Sequence, residues 1–326
     1  MNILLIGGTR FLGRHIVDIA LGRGHKITLF HRGETNRGLF GAAEELLGDR
    51  DGDLEVLRNR SWDAVIDTCG YFPRVVNKTA ELLKDAVDAY VFISSISVYR
   101  DAHIIGLDET AAVRTIEDES IEEITEESYG ALKALCEQVV ERNYPGRALI
   151  VRPGLIVGPH DPSDRFTYWV RRMAQGGEVL APEPMALRTQ LIDARDLGTW
   201  ILDRVEEKHC GLYHATGPRH NLTMQMLLDE LHEVFDHKAK LTWMTEKFLL
   251  DQKVAPWTEL PMWLTEEQGM MAVDVAKVFS SGLVCRPIAE IARDVLAWDK
   301  TRPEGIAYFA GMKPEREAEL LAAWRS

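Results

Sequence analysis

The chain has 326 residues, of which 46% are apolar and 27% charged, so it can bury a full core and suits one large α/β unit or two unequal lobes. Its net charge of −13 argues against general binding to nucleic-acid phosphates, which requires a basic surface. No apolar run is long enough to cross a bilayer, and no leader-like region precedes the first strand-like residues. We therefore expect a cytoplasmic protein with neither nucleic-acid nor membrane partners.

The four cysteines are scattered, with no Cys-x-x-Cys pair and no cluster of histidines beside them. A disulfide framework or a zinc site needs closely spaced ligands. We predict four reduced thiols and no bound metal.

Short apolar runs alternate with helical stretches in the first half of the chain. Five runs have the buried character of parallel strands: residues 3–6, 27–30, 64–66, 90–93 and 149–151. Helical patterns, such as those over 11–21 and 75–83, separate these strands. The alternation predicts an α/β doubly wound parallel sheet, a Rossmann fold, with helices on both faces.

The regular alternation of strand and helix ends after Pro159. An amphipathic stretch leads to Met173, residues 190–197 suggest a return to the first lobe, and helical segments dominate from Leu222 onward. We predict a dinucleotide-binding domain of residues 1–158 plus about 189–216. Residues 159–188 and 217–326 would form a smaller, discontinuous and mainly helical substrate lobe.

The first predicted strand runs directly into a glycine turn, Gly7-Gly8-Thr9-Arg10-Phe11-Leu12-Gly13. A turn of this kind lets the backbone approach a pyrophosphate, which is favoured at the positive N-terminus of the following helix. The turn therefore predicts a site for a dinucleotide.

Three further motifs follow the glycine turn in a fixed order. They are Ser94-Ser95-Ile96-Ser97-Val98-Tyr99, the pair Tyr129 and Lys133, and Arg152-Pro153-Gly154 ahead of Gly158-Pro159. Together with the turn they resemble the extended branch of the short-chain dehydrogenase/reductase superfamily, the NAD-dependent epimerase/dehydratase type. The superfamily pattern has three glycines in the turn, and Arg10 takes the middle position here.

The resemblance implies a nicotinamide cofactor and the residues that would hold it. They are Gly7, Thr9, Arg10, Phe11, Leu12, Gly13, His31, Arg32, Asp49, Arg50, Thr68, Cys69, Gly70, Ser94, Tyr129, Lys133 and Pro153. NAD sites usually carry an acidic residue at the end of the second strand, and this chain has His31-Arg32 there. Because a cation pairs with a 2′-phosphate, we predict that NADP(H) is favoured over NAD(H), while Glu34 keeps NAD open.

The catalytic residues implied by the resemblance are Ser95, Tyr129 and Lys133. Tyr129 and Lys133 stand four residues apart in a helix-forming segment, so they share one helix face. We expect the Lys133 ammonium to lower the pKa of the Tyr129 phenol, so that Tyr129 can exchange a proton. Lys133 would also hold the nicotinamide ribose. Ser95 would hydrogen-bond the substrate oxygen as charge develops.

The substrate is expected to be a small molecule that contacts six residues. They are Ser97, His160, Arg165, Tyr168, Trp169 and Gln190. Nucleotide-sugar enzymes of this branch usually place a diphosphate-binding Arg where this chain has Thr189, with Arg188 one residue early and on the other strand face.

The sequence allows three functions. The first, and the one we predict, is an oxidoreductase acting on a carbonyl or secondary alcohol, and the second, its main alternative, is a nucleotide-sugar epimerase/dehydratase. The third is a non-catalytic cofactor- or RNA-binding protein, since the glycine-turn sequence and Thr189-Gln190 resemble an atypical subgroup that includes chloroplast stem-loop-binding proteins. The resemblance also implies a homodimer, because the superfamily often dimerises through the Tyr129 helix.

Overall fold

A seven-stranded parallel sheet forms the centre of the computed structural model, which describes residues 1–325. Its strands are β1 (Asn2–Ile6), β2 (Lys26–His31), β3 (Glu44–Leu47), β4 (Trp62–Asp67), β5 (Val87–Ile93), β6 (Ala148–Pro153) and, late in the chain, β10 (Gly211–Ala215). Their order in the sheet is β10-β6-β5-β4-β1-β2-β3. All five predicted strands are present, which confirms the doubly wound fold.

Helices cover both faces of this sheet. On one face lie α1 (Phe11–Gly22) and α5 (Ala194–Glu206), and on the other lie α2 (Pro73–Leu83) and α3 (Glu126–Asn143). Successive residues of a strand point to opposite faces, so β1 feeds both cores: Leu5 joins the first and Leu4 the second. This two-sided burial explains why the strands appear as continuous apolar runs in the sequence.

The remaining chain builds a smaller region with its own core. Three strands, β7 (Leu155–Val157), β9 (Arg188–Asp193) and β11 (Gly217–Thr223), form one sheet, and β8 (Gly177–Pro182) pairs with β12 (Ala239–Met244). The helices are α4 (Arg165–Gln175), α6 (Met224–Val234), α7 (Glu246–Asp251), α8 (Ala276–Ser280), α9 (Ile288–Asp299) and α10 (Pro314–Trp324). This confirms a mainly helical C-terminal part, with β11 and β12 in addition.

The domain limits stay a prediction, and one segment differs from them. Val273, Val275, Val278 and Leu283 pack into the core between α1, α5 and the central sheet, although they lie in the range assigned to the substrate lobe. Conversely, Leu191 packs with the second core. Residues of the predicted substrate lobe therefore pack in the first core, and a residue of the predicted dinucleotide-binding domain packs in the second.

Within residues 1–325, the structure has no helix that is both long enough and apolar enough to span a membrane. The same residues contain no group of three or more His, Cys, Asp or Glu side chains placed to hold a metal ion.

The packing of α1 on the glycine turn generates a stability prediction. A Cβ on Gly13 would lie 2.7 Å from the Gly8 Cα, which is backbone and cannot give way, whereas a Cβ on Gly22 has nothing within 4 Å. We expect Gly13→Ala to lower the free energy of unfolding by about 1–3 kcal/mol through overpacking. Gly22→Ala, in the same helix, should raise it by about 0.4–1 kcal/mol by restricting the unfolded chain. Urea unfolding measures both, and equal effects would contradict the argument.

Candidate active site

The carboxyl ends of the central strands border a cleft of about 840 Å³. Of the predicted cofactor residues, the following line it: Gly7, Thr9, Arg10, Phe11, Leu12, Gly13, His31, Arg32, Asp49, Arg50, Thr68, Cys69, Ser94, Tyr129, Lys133 and Pro153. Gly70 does not, because it is buried against Phe92 and Val76. Ligand sites in such sheets lie at this edge, where the loops that follow the strands converge.

The glycine turn forms one wall of the cleft. Gly7 has a φ of +97°, and a Cβ there would lie 2.6 Å from the Thr68 hydroxyl oxygen, so only glycine fits. Arg10 is the N-cap of α1, is exposed, and makes no side-chain capping hydrogen bond. The first turn of α1 holds no acidic residue. The free amides, the helix dipole and the Arg10 cation therefore favour an anionic group at this position.

Residues of opposite charge meet at the end of β2. The Arg32 guanidinium lies 2.8 Å from the Glu34 carboxylate, and both side chains are more than 60% exposed. The His31 Nδ1 accepts a hydrogen bond from the Gly33 amide at 3.0 Å, which leaves the proton of a neutral ring on Nε2. The cation that we expected to select a 2′-phosphate is thus already paired.

The structure corrects the prediction for Arg50. Its guanidinium lines the cleft but forms two hydrogen bonds of 2.8 Å with the buried Asp67 carboxylate and a third with the Thr79 hydroxyl. Burial opposes the charge on Arg50, yet the adjacent Asp67 outweighs it and raises the pKa of the guanidinium. Tyr90 also donates to Asp67, at 2.8 Å. Arg50 therefore stabilises the β4 end, and Asp49 beside it is exposed, with one carboxylate oxygen accepting a hydrogen bond from the Asp51 amide at 2.9 Å.

The predicted catalytic residues come together from two elements. Ser95 follows the end of β5 and accepts a hydrogen bond from the Ser97 amide at 3.1 Å. Tyr129 and Lys133 lie on α3, and Ser95 lies close enough to Tyr129 to act on the pKa of its phenol. The helix begins at Glu126, because Thr125 and Ser128 form a capping box before it.

The pKa of Tyr129 differs from our expectation. Burial of the phenol raises its pKa, and the nearby Ser95 opposes this. The Lys133 ammonium points instead to two backbone carbonyl oxygens, those of Gly70 at 2.7 Å and Ile93 at 2.6 Å. Burial lowers the pKa of Lys133. Lys133 thus anchors α3 to the ends of β4 and β5.

Sequence reasoning missed the polar network behind Ser94. The Ser94 hydroxyl donates to Glu137, which lies one turn beyond Lys133 and receives two hydrogen bonds from Arg152, of 2.9 and 2.6 Å. Arg152 also donates to the Tyr99 hydroxyl at 2.7 Å, and that hydroxyl contacts the His214 ring. The network is buried, so the Ser-Val-Tyr motif ends in a structural tyrosine. The i,i+4,i+8 spacing of positions 129, 133 and 137 was the available signal.

A second missed residue, Tyr71, stands beside the catalytic group. Its ring lies 5.3 Å from the Lys133 ammonium, it lines the cleft, and 42% of it is exposed. Burial of its hydroxyl and the nearby Tyr129 raise its pKa to about 12, so the phenol stays protonated. Only its position directly after Cys69-Gly70 indicated a place at the sheet edge.

Four of the six predicted substrate residues serve the framework. Trp169 is fully buried and donates to the Pro261 carbonyl at 2.8 Å, and Tyr168 is buried beneath Gly311. The Gln190 amide exchanges two hydrogen bonds with the Val273 backbone, which joins β9 to the following lobe. Ser97 packs its backbone beneath Gly130 of α3 while its hydroxyl lies 3.1 Å from that of Ser95.

The last two substrate candidates lie beyond the cleft lining. His160 contacts Arg14 of α1 at 3.4 Å and packs against Trp298, and burial lowers its pKa to about 4. It is therefore neutral near pH 7. Arg165 begins α4 close to Pro162, which does line the cleft.

A sequence model described as the NAD dependent epimerase/dehydratase family matches residues 3–209. The chloroplast stem-loop binding protein of 41 kDa b of Arabidopsis thaliana is 27% identical over 219 residues. That alignment covers 62% of this chain and 54% of the relative, so the chain spans about half the length of the curated protein it matches.

Solved structures resemble the chain over nearly its whole length. The Bordetella bronchiseptica enzyme WbmH in complex with NAD⁺ is 14% identical, with a TM-score of 0.69 and 94% and 99% of the two chains covered. UDP-glucuronic acid 4-epimerase from Bacillus cereus in complex with NAD is also 14% identical, with a TM-score of 0.67 and coverage of 92% and 99%. UDP-N-acetylglucosamine 4-epimerase from Methanobrevibacter ruminantium M1 is 16% identical, with a TM-score of 0.69 and coverage of 92% and 98%. At these identities the likeness establishes a shared fold.

The buried pair beside the cleft yields a second prediction. Asp67→Asn removes the charge that balances the buried Arg50, so we expect a loss of about 3–5 kcal/mol in the free energy of unfolding. Asp51→Asn is the control, since Asp51 pairs with Arg74 at the surface, where solvent screens the interaction. The control should leave urea unfolding nearly unchanged. A tolerated Asp67→Asn would show that Arg50 does not depend on this carboxylate.

Proposed function

Because this chain belongs to the NAD dependent epimerase/dehydratase family, we propose that it is a nicotinamide-dependent enzyme in which Tyr129 transfers a proton to or from an oxygen of a small-molecule substrate. The observation that carries the proposal is that Ser95, Tyr129 and Lys133 line one cleft together, with Tyr129 and Lys133 on the same helix face. The intact trio favours an enzyme over a cofactor- or RNA-binding protein. The net charge of −13 supports the same choice.

The cleft fits a dinucleotide at several points. The glycine turn lines the cleft, and the N-terminus of α1, which has no side-chain cap, offers its amides to a diphosphate. The Lys133 ammonium, held by two carbonyl oxygens, retains a third donor for a ribose hydroxyl. When bound, the nicotinamide ring would supply or accept the hydride.

The residues of the chain would handle the proton and the developing charge. Tyr129 and Ser95 both line the cleft, so both hydroxyls can contact one substrate oxygen. In the direction of oxidation Tyr129 removes the hydroxyl proton, and in reduction it returns a proton to the carbonyl oxygen. Ser95 donates a hydrogen bond to that oxygen while it carries negative charge. The Ser97 amide fixes the Ser95 oxygen for this role.

An epimerase or dehydratase is a better proposal than the simple reductase that the sequence first suggested. Two similar structures are those of 4-epimerases, and the family description names these two reaction types. An epimerase returns the hydride to its substrate, so the cofactor is regenerated in each cycle, whereas a reductase consumes it. Mass spectrometry of ligands that co-purify with the protein would identify the cofactor and narrow the substrate class.

The choice between NAD(H) and NADP(H) depends on one ion pair. We predicted a preference for NADP(H) from Arg32 and Arg10. Arg32 is paired with Glu34 at 2.8 Å, and a carboxylate is the usual partner of the ribose 2′-hydroxyl in NAD sites. Asp49 adds a further negative charge to the cleft. These charges favour NAD(H), with Arg32 available to a 2′-phosphate only when it leaves Glu34.

The cofactor prediction tests this pair from both sides. Glu34→Gln frees Arg32, so NADPH should bind more tightly relative to NADH, by about tenfold for one charge-assisted hydrogen bond. Arg32→Gln should shift the ratio the opposite way. Fluorescence titration of both cofactors measures the ratio, and Asp51→Asn is the matched control at the cleft rim. A ratio that neither Arg32 nor Glu34 changes would place the 2′-position elsewhere.

The catalytic prediction concerns Tyr129. Tyr129→Phe removes one hydroxyl and should lower turnover by about 10²- to 10⁴-fold while cofactor affinity stays nearly constant. Tyr71→Phe removes a neighbouring hydroxyl and should retain most of the turnover. Ser95→Ala should cost on the order of 10²- to 10³-fold, and Lys133→Met should weaken cofactor binding as well as turnover.

The catalytic assay follows absorbance of the reduced nicotinamide and product formation, with UDP-sugars and simple secondary alcohols as trial substrates. Wild-type turnover in Tyr129→Phe would remove this residue from the mechanism. Stoichiometric consumption of cofactor would favour a reductase over an epimerase.

A further inference from the structure

Arg165 is a partly buried cation without a partner in the protein. Its Nε is buried and has no hydrogen bond, and no ion pair involves its guanidinium within residues 1–325. Aromatic rings flank it instead, with the guanidinium carbon 4.8 Å from the Trp257 ring centre and 5.6 Å from that of Phe309. Burial lowers its pKa, and attraction from Asp161 opposes this without contact. A desolvated charge in this state is costly unless something pairs with it.

Three other arginines in or next to α4 each form an ion pair with a carboxylate. Arg171 pairs with Asp299 at 3.0 Å, Arg172 with Glu317 at 2.6 Å, and Arg302 with Asp164 at 2.5 Å. Carboxylates are therefore plentiful in this region. Asp161, the nearest to Arg165, is instead held by the Ser163 amide and hydroxyl. Among these four arginines, only Arg165 has no carboxylate partner within residues 1–325.

The start of α4 offers further positive potential at the same place. Arg165 is the first residue of this helix, and its first turn contains no acidic side chain. The preceding Asp164 does not cap the helix, because its carboxylate binds Arg302 and the Phe309 amide. The helix N-terminus and the guanidinium thus act together on any nearby anion.

Arg165 lies outside the lining of the cleft but next to a segment that reaches it. Pro162, three residues before Arg165, lines the cleft together with Gly154 and Ile156. Phe309, which flanks the guanidinium, is 67% exposed, and Arg165 itself is only partly buried. One side of the guanidinium therefore faces solvent.

We propose that Arg165, held between Trp257 and Phe309, binds an oxyanion group of the substrate, a phosphate or a carboxylate, and so determines which substrates enter the cleft. The proposal rests on the proposed function of that cleft. Thr189 stands where a diphosphate-binding Arg is expected and has no charge, and its buried hydroxyl has no hydrogen-bond partner. Arg165 would supply the positive charge that Thr189 lacks. A planar guanidinium suits both anions, because two of its N–H groups can meet two oxygens.

The experiment measures anion affinity without turnover. Calorimetry on the full chain saturated with NAD⁺ titrates sodium pyrophosphate and, separately, sodium succinate. The wild type should bind at least one of them at millimolar concentration, and that arm identifies phosphate or carboxylate as the preferred group. Arg165→Met should weaken that binding about 10- to 100-fold. Arg165→Lys should recover part of it, since it keeps the charge but not the planar fork.

Two controls separate binding from structure. Arg293→Met removes an exposed arginine of α9 and should leave the affinity unchanged. The thermal midpoint of ligand-free Arg165→Met should equal or exceed that of the wild type, because an unpaired desolvated charge is removed. A lower midpoint together with unchanged anion affinity would assign Arg165 a purely structural cation–π role and overturn the proposal. So would a wild type that binds neither anion.

The result is independent of the catalytic proposal. Tyr129→Phe should bind the anion like the wild type, because Tyr129 is assigned to proton transfer. If Tyr129→Phe keeps full turnover while Arg165→Met loses the anion, the catalytic assignment fails and the anion site stands.

Discussion

The attachment of α3 to the edge of the sheet is the constraint on which the candidate site depends. The Lys133 ammonium bridges the carbonyl oxygens of Gly70 and Ile93, at the ends of two neighbouring strands. One turn further, Glu137 joins Ser94 to Arg152. Helix α3 is therefore attached to three neighbouring strand ends by the side chains of Lys133 and Glu137, which lie on one helix face. Because Tyr129 stands on that face, its distance from Ser95 is set by the sheet and not by a mobile loop.

This anchoring changes the expected division of labour among the catalytic residues. From the sequence we expected the Lys133 ammonium to lower the pKa of Tyr129. In the folded protein its protons are directed to backbone carbonyls, and burial raises the pKa of Tyr129. A buried phenol keeps its proton more firmly, so its ionisation during oxidation would need stabilisation by Ser95 and by the charge of the bound cofactor.

Ion pairing also decides what the cleft can recognise. Arginines that sequence reasoning assigned to ligands divide into two groups according to their partners. Arg50 forms a buried ion pair with Asp67, and Arg32 forms an exposed ion pair with Glu34. Arg10 at the start of α1 and Arg165 at the start of α4 remain available. Two unpaired cations, one in each lobe, would suit a cofactor diphosphate on one side and an anionic substrate group on the other.

Local sequence determined the order of strands and helices, the glycine turn, the start of α3 and the shared face of Tyr129 and Lys133. Each of these follows from short-range physics: side-chain periodicity, the space beside Gly7, and capping by Thr125. The sequence also carried the family resemblance through motifs that keep their order along the chain.

Only the tertiary structure decided which polar side chains serve the framework and which remain free. Arg50 and Asp67 are 17 residues apart, and Gln190 meets Val273 across 83 residues. Trp169, expected in a lid, is fully buried and bonded to Pro261. Periodicity along one element says nothing about such partners, because they depend on how distant elements pack. The same reason separates Arg165 from its paired neighbours: an arginine is free for a ligand only when the fold brings no carboxylate to it.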